Sequence, residues 1–209
     1  MNDTPGTAAE KRALRQRLLA ARAALPAAER AAGDARRDAE LLAWLAGRCP
    51  AGTTVALYAS LGTEPATGQL RAALRRAGVR VVLPRLLPDG DLELLPDTGV
   101  LVPGLRGTQH PGGAGAAVPE TELAAVVVPG LAGDVAGGRL GRGGGSYDRL
   151  LARLDPRVAV VLLLHEGEVL PAVPREPHDR RVGALALPSG VRPCVQGPAG
   201  HIGNFGSGA

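Results

Sequence analysis

Cysteine is nearly missing from this 209-residue chain: Cys49 and Cys194 are too few, and too far apart, for a disulfide framework or a Cys-rich zinc site. Aromatic residues are also scarce, at 2%, namely Trp44, Tyr58, Tyr147 and Phe205. Surfaces that bind RNA or single strands stack bases on aromatic rings. The pI of about 9.8 and net charge of +4 are therefore a weak sign of nucleic acid, which is not the expected partner. Lysine occurs once, at Lys11, against 23 arginines, and isoleucine once, at Ile202. Such a bias fits GC-rich coding, so most arginines are expected to have no special role. No run approaches about 18 apolar residues, which excludes a membrane-spanning helix. The opening MNDTPGTAAEKR has no apolar core behind a basic leader, so a cytoplasmic, reducing location is expected.

What is present is ordinary for a folded chain, with 45% hydrophobic and 21% charged residues. The length suits one domain, expected over 1–191, with a patternless tail at 192–209. A stripe of Leu14, Leu18, Ala21 and Leu25 predicts a helix over 8–25. Pro26 opens a second helix that runs through Leu41, Leu42 and Leu45 to Gly47. Strand patterns fall at 54–59, 79–83, 126–128 and 158–164, with a further strand at 183–187. Helices are expected at 67–77 and 147–154, short strands within 92–103, and a surface loop over 103–119. Strands alternating with helices predict a three-layer α/β/α sandwich with a largely parallel sheet.

The segment 126–148 reads VVVPGLAGDVAGGRLGRGGGSYD, leaving a strand and opening a helix. Ligands of open α/β sheets bind beyond the carboxyl ends of the strands. Gly141, Gly143, Gly144 and Gly145 let backbone N–H groups turn toward an anion, and the following helix adds its positive end. Arg139 and Arg142 add charge, so a polyphosphate is the natural guest; a flexible linker is the alternative for the glycine run alone. There is no P-loop, and a dinucleotide fingerprint would want glycine where Ser146 stands. Lys11 and Arg15 lie about 40° apart on the first helix, where a shared anion would offset their repulsion and simple snorkelling is the alternative. Glu64 is suited to a heterocycle or, more simply, to capping the helix that follows. Asp148 and Asp179 are suited to Mg²⁺, which takes one or two carboxylates plus phosphate oxygens and water. Asp148 alone would also favour a helix dipole. The four histidines, His110, His165, His178 and His201, have no zinc spacing, and no Ser/His/Asp order emerges.

These pieces resemble the 5-formyltetrahydrofolate cyclo-ligase (5,10-methenyltetrahydrofolate synthetase) family over roughly residues 11–189. The resemblance rests on PGLAGD (129–134) and RLGRGGGSYD (139–148), with KRALR (11–15), SLGTE (60–64), VLPR (82–85) and VPREPHD (173–179) in the same order. It implies a fold like that of sugar-phosphate isomerases and CoA transferases. It also implies an ATP- and Mg²⁺-dependent ring closure of 5-formyltetrahydrofolate in a monomer or weak homodimer. Residue by residue, it assigns ATP to Lys11, Arg15 and the run Arg139, Leu140, Gly141, Arg142, Gly143, Gly144, Gly145, Ser146 and Tyr147. Arg142 and Tyr147 would be catalytic, Ala59 and Glu64 would meet the reduced pterin, and Asp148 and Asp179 would hold the metal. Ser146, Gly133, Val100 and Gly183 depart from the family pattern. The alternatives are ATP-driven chemistry on another formyl or amide substrate, or a basic nucleic-acid-binding protein.

Overall fold

Proline and glycine set the boundaries of the regular elements in the computed structural model, which describes residues 5–113, 115–176 and 178–195. Two long helices come first, α1 (Pro5–Ala24) and α2 (Ala27–Ala46), with Pro26 between them in an extended conformation that no helix can continue through. Then follow β1 (Thr54–Ala56), α3 (Gly68–Arg76), β2 (Arg80–Leu86), β3 (Leu92–Pro96), β4 (Leu101–Pro103) and β5 (Gln109–Pro111). The second half holds β6 (Leu123–Pro129), β7 (Ala132–Asp134), β8 (Arg139–Leu140) and α4 (Ser146–Arg153). It ends with β9 (Ala159–Leu163), β10 (Val169–Leu170), β11 (Ala184–Leu187) and β12 (Gly190–Pro193).

The main sheet has seven strands in the order β12-β11-β9-β6-β1-β2-β3. Its five inner strands are parallel and each edge strand is antiparallel. Alternation of side chains sends Val127, Val161 and Leu163 to one face, where Leu41 and Leu45 of α2 and Leu70 and Leu74 of α3 cover them. Val126, Val128 and Leu162 point to the other face, against Leu150 and Leu151 of α4. Both faces are buried, which is why these strands read as continuous apolar runs. The expected three-layer α/β/α arrangement is what the chain forms.

Helix α1 packs elsewhere. Its Leu14 and Leu18 bury against Leu131, Ala132, Leu140 and Val173, over a small sheet ordered β10-β7-β8. Sequence patterning reads the segment between β6 and α4 as one glycine-rich loop, because strands of two or three residues leave no periodicity. Asp134 builds this corner: its Oδ1 accepts from the N–H groups of Ala136 (2.9 Å) and Gly138 (2.8 Å), and its Oδ2 from that of Val173 (2.8 Å). Gly133 has no room for a side chain, since a Cβ there would lie 2.8 Å from Leu162 Cδ2 and 2.9 Å from Leu185 Cδ2. Leucines thus close off the space beside Gly133.

Three further expectations change. The stretch 103–119 is not structureless, because β5 pairs antiparallel with β4 in a ribbon. The strand expected over 54–59 is regular only to Ala56; Leu57 N–H still donates to Val82 O at 2.9 Å, and the chain then enters the 60–65 loop. The patternless tail starts too early, since Arg192 and Pro193 belong to β12, paired with Leu185 and Ala184; residues 196–209 lie outside the described residues. Gly137 tests the β7–β8 corner: its φ is +83° and a Cβ would meet Val182 O at 2.5 Å. Gly137→Ala is expected to lower the unfolding free energy by about 1–3 kcal/mol, read as a lower urea midpoint with an unchanged m-value.

Candidate active site

At the C-terminal ends of β6 and β1, where the strands stop and the loops diverge, lies a cavity of about 410 Å³. Lys11, Arg15, Ala59, Glu64, Asp148, Asp179 and the whole run 139–147 line it together. The glycine segment is therefore a wall of a site and not a linker. Gly145 caps α4 with a left-handed φ of 69°, which turns the chain from the loop into the helix. A Cβ on Gly143, whose φ is +99°, would meet the Arg15 guanidinium carbon at 3.3 Å. Arg15 in turn donates from Nε to Gly141 O at 2.9 Å. Helix α1 and the glycine loop thus fit each other through backbone that a side chain would push apart.

Each acidic group at the site has a cation. Lys11 is only 5% exposed, which rules out simple snorkelling; its Nζ donates to Glu176 and, at 2.7 Å, to Asp179 Oδ2. Burial would raise the Asp179 pKa, but Lys11 and the Glu176 N–H hold it below the ordinary carboxylate value. Burial alone would lower the Lys11 pKa, and Asp179 and Glu176 lift it above the usual ammonium value instead. Arg139 Nη2 donates to Asp148 Oδ2 at 2.9 Å, and Asp148 Oδ1 accepts from the Arg180 N–H at 3.2 Å. Arg142 Nε donates to Glu64 Oε1 at 2.8 Å, while Glu64 Oε2 closes its own loop by accepting from the Leu61 N–H at 2.9 Å. Glu64 therefore does not cap α3, whose N-cap is Thr67 without a side-chain cap bond. The Arg142 side chain is 50% exposed and Glu64 only 8%, so an anchored carboxylate meets a movable guanidinium.

Tyr147 lines the same cavity, with the Arg139 guanidinium 5.9 Å from its ring centroid. Burial, then the Glu64 charge, push its hydroxyl well above the usual phenol range, against the opposing effect of Arg139. At neutral pH Tyr147 keeps its proton. Burial also pushes both thiols up, Cys194 to about 11, and the two cysteines are free. Neither thiol line the cavity, so covalent thiol chemistry has no seat there.

The sequence reading missed several lining residues. Arg22 lies about 20° from Lys11 around α1 at 100° per residue, a spacing that would have shown it. It is buried, donating from Nε to Glu168 Oε1 and from Nη2 to Gly130 O, both at 2.6 Å. Glu176 and His178 join Asp179 in a cluster whose ligand atoms lie within 4.8 Å of one another. Asp148, expected to share a metal with Asp179, lines the same cavity from α4 and stands outside that cluster. Val100 is 61% exposed and lies outside the cavity lining.

A family model described as the 5-formyltetrahydrofolate cyclo-ligase family matches residues 7–188. The chain belongs to the 5-formyltetrahydrofolate cyclo-ligase family. A 5-formyltetrahydrofolate cyclo-ligase of Mycolicibacterium smegmatis is 36% identical over 178 residues, covering 81% of this chain and 89% of that protein. One from Escherichia coli is 33% identical over 144 residues, covering 66% of this chain and 79% of that protein. The NMR structure of an Aquifex aeolicus 5,10-methenyltetrahydrofolate synthetase superposes with a TM-score of 0.72 at 26% identity, covering 93% of this chain and 98% of that one. Family membership makes this chain an enzyme of the ligase class with a tie to folate metabolism. No helix among the described residues is long and apolar enough to cross a membrane.

Within this cyclo-ligase fold the Lys11 pairing has a pH signature. The depressed Asp179 pKa stabilises the fold above the unfolded value of about 3.9, and that contribution is lost as pH falls through the folded value. The raised Lys11 pKa stabilises below about 10.4 and is lost as pH rises through its folded value. Lys11→Met strands two carboxylates and is expected to cost about 1–3 kcal/mol at pH 7. Urea titrations should show that deficit shrinking toward pH 4, as the stranded acids take up protons; a pH-independent deficit would contradict the pairing.

Proposed function

We propose that the protein uses ATP to close 5-formyltetrahydrofolate to 5,10-methenyltetrahydrofolate, releasing ADP and phosphate. One observation carries this reading: an anion seat of glycines and cations shares a single cavity with the Glu64–Arg142 pair and an apolar wall of Pro84, Leu86 and Leu92. The formyl oxygen is a poor leaving group. Its attack on the γ-phosphorus, with ADP leaving, makes it part of a phosphate ester. Nitrogen 10 then attacks the activated carbon, loses its proton, and phosphate departs with the former formyl oxygen. Such transfer needs alignment and cationic contacts more than a protein nucleophile.

On this reading, Lys11, Arg15 and the backbone of 139–147 bind the triphosphate. Glu64 accepts hydrogen bonds from the reduced pterin beside Ala59, while Arg142 leaves Glu64 to meet negative charge on the transferring group. Tyr147 donates from its protonated hydroxyl. Mg²⁺ is a hard cation that prefers carboxylate oxygen, and the cavity offers Asp179 with Glu176 in one cluster and Asp148 of α4 elsewhere in the lining. When bound, the metal would neutralise phosphate oxygens. The enzyme would work in the cytoplasm as a monomer or weak homodimer on small molecules.

Growth of the methenyl chromophore from 5-formyltetrahydrofolate, dependent on ATP and magnesium, is the expected result. Absence of turnover with both present would point to a different formyl or amide substrate. Arg142→Ala should lower kcat by about 100-fold, in the range of losing one transition-state donor. Its unfolding free energy should fall by no more than about 1 kcal/mol, since Arg142 is half exposed and the largely buried Glu64 side chain keeps the Leu61 N–H. Full activity in that variant would remove Arg142 from the reaction.

A further inference from the structure

The cations around the cavity are nearly all committed. Lys11, Arg22, Arg139 and Arg142 each rest on a carboxylate, and Arg15 on the Gly141 carbonyl. Arg106 also lines the cavity, yet no described residue gives its guanidinium a hydrogen bond or an ion pair. It sits at the tip of the β4–β5 ribbon with φ 53° and ψ 33°, and among the described residues no other non-glycine residue has a positive φ. Gly107 follows with φ 74°. A left-handed arginine is disfavoured, and such conformations persist where the surroundings impose them. Here three bonds close the tip: Gly104 N–H to Thr108 O (2.8 Å), Thr108 N–H to Leu105 O (3.0 Å) and Thr108 Oγ1 to the same Leu105 O (2.7 Å).

The position of this tip matters as much as its charge. Lys11, Arg15 and the 139–147 run come from α1 and the β8–α4 side, where the anion seat is. Arg106 comes with Thr108 and Gln109 from the ribbon, beside the apolar Pro84, Leu86 and Leu92 of the β2–β3 pair at the sheet edge. An exposed guanidinium without a partner among the described residues, carried on a constrained ribbon tip beside an apolar wall and contributed by a different part of the chain from the glycine loop, matches a carboxylate on an elongated ligand.

We propose that Arg106 reads the glutamyl carboxylate of the folate substrate, and so distinguishes a folate from its pteroate core. This rests on the cyclo-ligase reading above. With the formyl group at Glu64 and Arg142, the ring system lies along Leu86 and Leu92, and the glutamyl end meets Arg106, Thr108 and Gln109.

The test compares 5-formyltetrahydrofolate with 5-formyltetrahydropteroate, which lacks the glutamate, in steady-state turnover at fixed saturating ATP. The unsubstituted enzyme should show a KM about tenfold higher for the pteroate, as expected for losing one charge-assisted contact. Arg106→Ala should raise the folate KM to the pteroate value and abolish the difference, with kcat and the ATP KM within about twofold. Arg106→Gly accepts the left-handed backbone without strain; it should give the same loss, which separates the guanidinium from the shape of the tip. Arg106→Lys should restore part of the discrimination. An unchanged folate-to-pteroate ratio in both the Ala and Gly variants overturns the proposal, as does a rise in the ATP KM alone. Absence of turnover by the unsubstituted enzyme would overturn the cyclo-ligase reading as well, whereas turnover with an unmoved ratio overturns this proposal alone.

Discussion

Two buried guanidinium groups grip one turn of backbone. Arg22 reaches from α1 to the carbonyl of Gly130, and Arg139 reaches from β8 to that of Pro129, at 2.6 and 3.3 Å. That turn ends β6 and begins the path to the glycine loop, so its position decides where α1, β7–β8 and α4 stand. Each guanidinium brings its own carboxylate, Glu168 for Arg22 and Asp148 for Arg139. Burying a charge with a hydrogen-bonded partner is tolerable, while stranding one is costly. Each also keeps one buried N–H without a partner, Arg22 Nη1 and Arg139 Nε, a cost that structures commonly carry at functional sites. Glu168 extends the same network by accepting from the His165 N–H at 2.8 Å, and the His165 ring meets Thr63 O at 2.9 Å. The grip thereby connects α1 to the 60–65 loop that holds Glu64.

The site that results is electrostatically balanced before any ligand enters. Lys11 sits on Glu176 and Asp179, Arg139 on Asp148, and Arg142 on Glu64. A bound anion and a metal ion would take up partners that these groups already have, so binding exchanges ion pairs and does not create charge in a dry cavity. Burial separates the rigid members from the movable one: Arg139 and Lys11 are buried, whereas Arg142 is half exposed on a glycine-flanked loop. The proposed phosphoryl transfer would benefit from this division, with fixed charges for positioning and a half-exposed cation free to approach the reacting oxygen.

Much of this was legible from residues alone. The apolar runs of β6 and β9 showed a doubly covered sheet, and the phosphate-like segment 139–148 fell at a strand-to-helix turn. All the named site residues line one cavity, since each lies on α1 or in a short local pattern at a loop end. The small sheet was not legible, since β7, β8 and β10 have two or three residues each and owe their pairing to Asp134 and to α1 packing. The capping alternative for Glu64 falls away because its partners, Arg142 and the Leu61 N–H, become neighbours only through folding or a tight turn. Arg106 and Arg22 were hidden among 23 arginines; burial and pairing set Arg22 apart, and a place on the cavity wall without a partner among the described residues sets Arg106 apart.

The central claim is that the formyl oxygen and the γ-phosphorus meet in this one cavity and form a bond there. Turnover of substrate labelled with heavy oxygen in the formyl group, followed by mass analysis of the released phosphate, tests it most directly. One labelled oxygen per phosphate is the predicted result. Unlabelled phosphate, with the label released to water, would contradict the account.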